Sequence, residues 1–234
     1  MGVTVAIHQP NYLPWLGYFH KIASVDIFVF VDDVQFSKNS YINRVQVLGP
    51  SGPRWLTVPV SYHFGNTIRE VRPAVSDWPS RHLDTLHTLY ASAPAFKEVW
   101  VRVKELLLSL PQTDLATINR HLVENLSKEF GLSPKFFASS EINVHGKVSD
   151  NRLIELVKAV APSGVYLSGK GAAGYQDPEK FKQAGLGFRY LDFQHPVYDQ
   201  ARTPFQPGLS VLDVLFRLGW SGTADLIVST ACRA

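Results

Sequence analysis

The sequence predicts an α/β protein of the Rossmann-like type, with a mostly parallel sheet, a helical insertion and a short β-hairpin. Two observations lead to this prediction. Short apolar, β-branched runs alternate with segments of helical period at both ends of the chain. One of these runs, DIFVFV at residues 26–31, is apolar throughout, as in strands that are covered on both faces of a parallel sheet.

The first elements predict a β-α-β unit. Residues 3–7 form an apolar strand, and residues 14–23 form a helix with Pro14 in its first turn, where a missing N–H costs nothing. DIFVFV is the second strand. Such crossovers are right-handed, so the loop after the first strand is expected at the carboxyl edge of the sheet. His20 and Lys21 are expected to be solvated or to lie at an edge.

The middle of the chain predicts a hairpin and then three helices. Residues 44–48 and 54–60 are strand-like, and GPSGP between them indicates an open turn. Helical periods cover residues 76–91, 94–110 and 114–130, with Asp114 as an N-cap and Gly131 as a stop. We expect one α/β domain over residues 1–234, interrupted by a helical insertion at residues 77–131.

Alternation returns in the last third. Residues 151–160 predict a helix capped by Asp150, and residues 164–167 predict a strand that ends in SGKGAAGY. A helix at 178–184, a strand at 188–193 and an amphipathic helix at 209–218 follow.

Composition excludes several classes of protein. With 45% hydrophobic and 18% charged residues, the chain has an ordinary globular composition, without an apolar run of the roughly 20 residues that a membrane helix needs. No signal peptide is expected, and a single cysteine, Cys232, favours the cytoplasm. A net charge of +3 does not by itself indicate a nucleic-acid partner. The motifs GxSxG, GxxxxGK[ST], HExxH and CxxC are absent.

The loop after the first strand, HQPNY, is the first candidate for a binding site. Pro10 within this loop and Pro14 just after it stiffen the chain, and stiff loops lose little entropy when a ligand binds. His8 is placed to act as a general base or a phosphate ligand; alternatively, its ring only bonds a loop carbonyl. The other binding candidates here are Gln9, Asn11, Tyr12 and Trp15.

The loop after the second strand contributes Asp32 and Asp33. Neighbouring residues of an extended chain point to opposite sides, so at most one is expected to face a site. A carboxylate here suits Mg²⁺, a ribose hydroxyl or an amine, although no third carboxylate follows at a suitable spacing; no cofactor is assigned, and Mg²⁺ stays open. Gln35, Asn43 and Arg44 extend the candidates, with Arg44 either a phosphate or carboxylate fork or a surface residue.

Two later loops also follow predicted strands. Glycines at the GxGxxG stretch 169–174 allow backbone N–H groups to approach an anion, although the next helix begins only near Pro178, and a plain connection is the alternative. The candidates in these two loops are Ser168, Gly169, Gly171, Tyr175, His195 and Tyr198. Ligands of open α/β sheets bind at the carboxyl ends of strands, so the four loops together predict one site.

The runs HQPNYLPWLGYFHKI and DIFVFVDDVQFSKNSYINRV resemble the N-terminal signature of the WbqC-like protein family, and WLTVPV, YLSGKGAAGY and FQPGLSVLDVLFRLGW extend the resemblance over the whole chain. The family is named from bacterial gene clusters for O-antigen and related surface glycans. The resemblance implies a cytoplasmic step on a nucleotide-linked sugar or a related small molecule. The signature positions are His8, Gln9, Pro10, Tyr12, Pro14, Trp15, Gly17, Asp32, Asp33, Gln35, Asn43 and Arg44.

These considerations favour a transferase that moves an acyl or aminoacyl group onto a nucleotide-linked acceptor. His8, with Asp32 or Asp33, would be catalytic. One alternative is a nucleotidyltransferase-like enzyme, although the HxGH motif of such enzymes is missing. Another is a non-catalytic scaffold protein of the same pathway. A tRNA donor and a homodimer built on exposed aromatic residues are both left open, and no membrane partner is expected.

Overall fold

A computed structural model describes residues 2–144, 146–202 and 204–229 of the chain. The helices and strands, in chain order, are β1 (Thr4–His8), α1 (Leu16–Ala23), β2 (Ile27–Phe30), β3 (Arg44–Gly49), β4 (Gly52–Thr57), β5 (Val60–Ser61), β6 (Arg72–Pro73), α2 (Trp78–Tyr90), α3 (Phe96–Leu108), α4 (Leu115–Glu129), β7 (Lys135–Ala138), α5 (Ser149–Val160), β8 (Val165–Gly169), α6 (Pro178–Gln183), β9 (Gly187–Leu191) and α7 (Val211–Ser229).

Five parallel strands form the central sheet, in the order β7-β2-β1-β8-β9. Counted along the chain, this order is 3-2-1-4-5, as in Rossmann-like sheets. The predicted α/β class with a parallel sheet is therefore confirmed. So is the short hairpin, in which β3 pairs antiparallel with β4 from Arg44–Thr57 to Gly49–Gly52.

The two faces of the sheet bury different residues because side chains alternate along a strand. On one face, Ala6 and Phe28 pack with α1, the hairpin, α2–α4 and α7 in the larger apolar cluster. On the other face, Val5 and Ile7 pack with α5 and α6 in a smaller cluster. Both faces of β1 and β2 are thus covered, which explains why DIFVFV lacks alternation.

Helix α1 is buried along its whole length. All eight residues from Leu16 to Ala23 are buried, because α1 lies against the sheet on one side and α7 on the other. Of the two alternatives for His20 and Lys21, solvated or at an edge, the first is therefore wrong. His20 is 1% exposed and Lys21 is 5% exposed.

The three helices α2–α4 occupy the chain between β6 and β7. Asp114 caps α4 by accepting a hydrogen bond from the Thr117 amide at 2.9 Å, as predicted. Gly131 ends this segment with a φ of +71°, a conformation that favours glycine. That residues 77–131 are an insertion within a single domain stays a prediction.

Three element predictions need correction. Strand β7 was not expected; it has only four residues and forms an edge of the sheet. Asp150 does not cap α5, because the helix begins at Ser149, one residue before Asp150, and Asp150 therefore lies in its first turn. Helix α7 continues past the expected end at 218, with a break at Gly219, where φ is +71°. No described helix is both long and apolar enough to cross a bilayer.

Candidate functional site

The order of the strands places the topological switch point of the sheet between the carboxyl ends of β1 and β8. The helix after β1 packs on one face of the sheet, whereas the helix after β8 packs on the other. The two loops therefore leave in opposite directions, and open α/β sheets bind their ligands at such a point. We call this place the switch-point crevice and define it by His8, Lys21, Ser168 and Gly169.

His8 ends β1 and is held in one tautomer. Its Nδ1 lies 3.0 Å from the Gln9 carbonyl oxygen, so Nδ1 carries the hydrogen and Nε2 carries the lone pair. The Tyr18 hydroxyl donates to the same carbonyl at 2.9 Å, and the Tyr18 ring contacts the His8 ring edge-on. Burial, followed by the charge of Lys21, lowers the pKa of His8 from 6.5 to about 4. The imidazole is therefore neutral at physiological pH.

Lys21 reaches the crevice from α1. Its Nζ donates to the Ile7 carbonyl at 3.4 Å, and a Cβ placed on Gly169 would lie 4.0 Å from Nζ. Burial lowers the pKa of Lys21 from 10.5 to about 8. Sequence reasoning missed this residue because a lysine in an amphipathic helix is normally on the solvated side. A lysine in the last turn of a short, mostly apolar helix that follows the first strand was the available signal.

The loop 9–15 is rigid but largely turned into the protein. The Asn119 Nδ2 donates to the Pro10 carbonyl at 2.9 Å and to the Ile42 carbonyl at 2.7 Å. Asn11 is 7% exposed and Tyr12 is fully buried, with its hydroxyl 2.7 Å from the His82 Nδ1. In this conformation Tyr12 does not offer a face to a ligand. Gln9 contributes its carbonyl to the His8 contact.

Trp15, His195 and Tyr198 belong to one aromatic cluster. The rings of Trp15 and His195 are stacked with centroids 6.1 Å apart, and those of His195 and Tyr198 are 6.4 Å apart. The Tyr198 hydroxyl donates to the buried Asp213 Oδ2 at 2.7 Å. Burial lowers the pKa of His195, which favours the neutral form of its ring. The structure thus brings together three residues that sequence reasoning selected from two distant loops.

Asp32 and Asp33 both turn towards Ser139, contrary to the expectation that they point to opposite sides. Strand β2 ends at Phe30, so the alternation of an extended chain no longer applies. Asp32 accepts from the Ser140 amide at 3.0 Å and the Ser140 hydroxyl at 2.6 Å. Asp33 pairs with Arg152 at 2.5 Å and also contacts the Ser139 hydroxyl.

A polar cavity of about 230 Å³ lies beside Asp32 at the carboxyl ends of β2 and β7. Arg69, Thr117 and Arg120 also line it. Within the described part of the chain, no group of three or more His, Cys, Asp or Glu side chains is placed to hold a metal ion. The oxygens of Asp32 are already engaged by the turn at Ser139–Glu141. A Mg²⁺ ion is therefore not assigned here.

The remaining candidates of the second loop lie on or near the hairpin. Gln35 is exposed. Asn43 is 3% exposed and donates through Nδ2 to the Val58 carbonyl at 3.3 Å. Arg44 stacks its guanidinium on Trp55, 3.9 Å from the ring centroid. Such stacking leaves the outer face of the guanidinium to an aromatic or anionic ligand, but no observed contact joins Arg44 to the crevice.

The Gly-rich loop folds back as a single 3-10 turn at Lys170–Ala172. Ser168 is buried and hydrogen-bonds the Gln176 side chain. Gly169 has an ordinary extended backbone, with φ −76° and ψ 143°, and a Cβ on Gly171 would meet open space. Tyr175 is 75% exposed. Of the candidates in this loop, Ser168 and Gly169 lie at the crevice. Neither Gly169 nor Gly171 has a backbone conformation that requires glycine.

Taken together, these features define a Rossmann-like α/β protein with polar residues gathered at the switch point of its sheet. The chain belongs to the WbqC-like protein family, whose model matches residues 9–225. It is also similar to an uncharacterized protein of Mycobacterium tuberculosis, Rv1507c. The two are 33% identical over 219 residues, which cover 92% of this chain and 94% of the relative.

Proposed function

We propose that the protein is a transferase of bacterial surface-glycan (O-antigen) or related small-molecule biosynthesis. It moves a small acyl or aminoacyl group onto a nucleotide-linked sugar or a similar acceptor. The observation that carries the proposal is the convergence of His8, Lys21 and Gly169 at the switch-point crevice. Membership of the WbqC-like family supports the pathway context, because the family is named from gene clusters for such glycans.

His8 is the proposed general base. The Gln9 carbonyl fixes the hydrogen on Nδ1, so Nε2 is free to take a proton. In the reaction, an acceptor hydroxyl or amine attacks the acyl carbon and passes its proton to Nε2. The bond from the acyl carbon to the thioester sulfur or ester oxygen breaks, and the leaving group receives the proton. Since the pKa of His8 is about 4, the base form is present throughout the physiological range.

Two flanking features suit the rest of the substrate. The partly exposed Trp15, supported by His195, offers an aromatic face for a base or sugar ring. Asp32 lines the neighbouring polar cavity; among the described residues its Oδ2 accepts only one hydrogen bond, from the Ser140 hydroxyl, so one lone pair remains for a hydroxyl or amine of the acceptor. Asp33, fixed by Arg152, holds this loop in place. A homodimer and a tRNA donor stay predictions.

A thermal-shift screen tests the substrate class. The panel contains nucleotides, nucleotide sugars, acyl-CoA thioesters and tRNA. A ligand at about 100 times its Kd stabilises the folded state by roughly 2.7 kcal/mol, which raises Tm by about 5–10 °C in a chain of this length. We expect the nucleotide sugars to produce the largest shift.

An assay of product formation by mass spectrometry then tests the role of His8. We expect His8→Ala to lose most transfer, on the order of 10²–10⁴-fold for a general base, while binding persists. The matched control is His63→Ala, at an exposed loop position. Equal activity of the two variants contradicts the proposal. If no ligand shifts Tm, a scaffold protein is favoured, and release of pyrophosphate that requires Mg²⁺ favours nucleotidyl transfer.

A further inference from the structure

Lys21 is a buried cation for which the described part of the chain provides no counter-ion. Lys21 is 5% exposed, and none of the described carboxylates lies within 4 Å of its Nζ. Burial is the cause of its lowered pKa. Buried lysines are normally paired, because taking an ammonium group out of water costs several kcal/mol. A buried lysine at the carboxyl end of a central strand, without a counter-ion among the described residues, is therefore a candidate functional group.

The position of Nζ coincides with the point where two strands separate. Strands β1 and β8 pair only at Thr4–Val165 and Val5–Tyr166, although β8 continues to pair with β9 as far as Gly169–Leu191. The Ile7 carbonyl faces this gap and receives the hydrogen bond from Nζ. The ammonium group thus occupies the floor of the switch-point crevice, where ligands of such sheets bind.

Gly169 places no side chain beside Nζ. Its φ and ψ are accessible to any residue, so the backbone does not require glycine. A Cβ at this position would be 4.0 Å from Nζ, and a longer side chain would cover the amine. The missing side chain leaves room for a ligand atom beside the ammonium group.

We propose that Lys21 binds an oxyanion of the substrate, a phosphate or carboxylate oxygen, in the switch-point crevice. This deepens the proposed function and rests on it for the location of the site. An ammonium group has three N–H donors, and the Ile7 carbonyl takes one of them at a long distance of 3.4 Å. An anion accepts the others and neutralises the buried charge. His8, neutral beside it, offers no competing charge.

Bound anion and proton uptake are linked, which gives a specific readout. An anion beside Nζ raises the pKa of Lys21, so the protein takes up about half a proton when it binds an anion near pH 8. Isothermal titration in two buffers of different ionisation enthalpy measures this number. The probes are inorganic pyrophosphate and UDP for phosphate, and succinate for carboxylate. The probe that binds most tightly identifies the source of the oxyanion.

Three variants separate the site from non-specific attraction. Lys21→Met should lose at least tenfold in affinity and all proton uptake. Gly169→Val should also weaken binding at least tenfold, because its side chain covers the amine. Lys170→Met is the matched control, since Lys170 is exposed and pairs with Asp192 on the neighbouring loop. It should bind as the wild type does.

The inference is overturned if the wild type binds none of the probes, if Lys21→Met retains full affinity, or if Lys170→Met loses as much. Its failure can be told apart from that of the proposed function. If Lys21→Met transfers the group to a nucleotide sugar with an unchanged KM, the anion site is refuted but the proposed transferase is not. If anion binding depends on Lys21 but the protein transfers a group to no acceptor, the transferase is refuted but the anion site is not.

Discussion

Replacing Lys21 by methionine is expected to stabilise the folded protein at pH 7. Burial lowers the pKa of this lysine from 10.5 to about 8, so the folded state holds the charge less favourably than the unfolded chain. One pKa unit corresponds to about 1.4 kcal/mol, and the lowering amounts to roughly 3 kcal/mol. Methionine fills a similar volume without a charge. The free energy of unfolding should therefore rise by up to about 3 kcal/mol, or roughly 6–12 °C in Tm.

The pH dependence of the free energy of unfolding is a second test of the sign of this stability change. Between pH 8 and 10.5 the unfolded chain keeps the lysine proton that the folded chain has released. Wild-type stability therefore rises relative to that of Lys21→Met over this window, and the advantage of the variant shrinks. Urea denaturation at pH 7 and pH 10, followed by circular dichroism, measures both differences.

An exposed lysine provides the control for this experiment. Lys170→Met removes an exposed ion pair and should change the free energy of unfolding by less than about 1 kcal/mol at either pH. The reasoning is refuted if Lys21→Met is less stable than the wild type at pH 7. It is also refuted if the difference between them is the same at pH 7 and pH 10.

Two further predictions concern stability. Burial lowers the pKa of His82 from 6.5 to about 4, so its neutral form contributes stability that is lost as pH falls through this window. His82→Leu should flatten the decline in urea midpoint between pH 6.5 and 4, and an unaltered decline contradicts this. Gly17→Ala places a Cβ 2.4 Å from the Trp15 ring and should cost about 1–3 kcal/mol in thermal unfolding. Gly171→Ala, where the Cβ meets open space, should stay within about 0.5 kcal/mol, and equal costs for the two glycines would count against a clash.

Local sequence patterns were sufficient for much of the fold. The apolar run of β2, the capping Asp114 and the stop at Gly131 each have a local physical cause, so they could be predicted within a few residues. Strand β7 could not, because four residues that follow a proline give too short a pattern. Its strand character comes from pairing with β2, more than 100 residues earlier in the chain.

The position of the candidate site was predictable from the sequence, but its chemistry was not. Polar residues after predicted strands located the loops, because the carboxyl edge of a parallel sheet follows from topology. Burial does not follow from local pattern. Lys21 is buried because its side chain reaches the carboxyl end of β1 and the start of the Gly-rich loop, and Tyr12 is buried because it bonds His82 in the helical block. Both facts depend on contacts between distant segments.

The side chain of Asn119 ties the loop after β1 to the segment before the hairpin through two carbonyls, those of Pro10 and Ile42. A helix outside the sheet thus fixes the backbone that carries His8. A loop held in this way is already ordered before a ligand arrives, so no folding step precedes binding. The observed association rate should then increase linearly with ligand concentration in stopped-flow mixing, without reaching a plateau. Removing the Asn119 amide should introduce the plateau that a moving loop imposes.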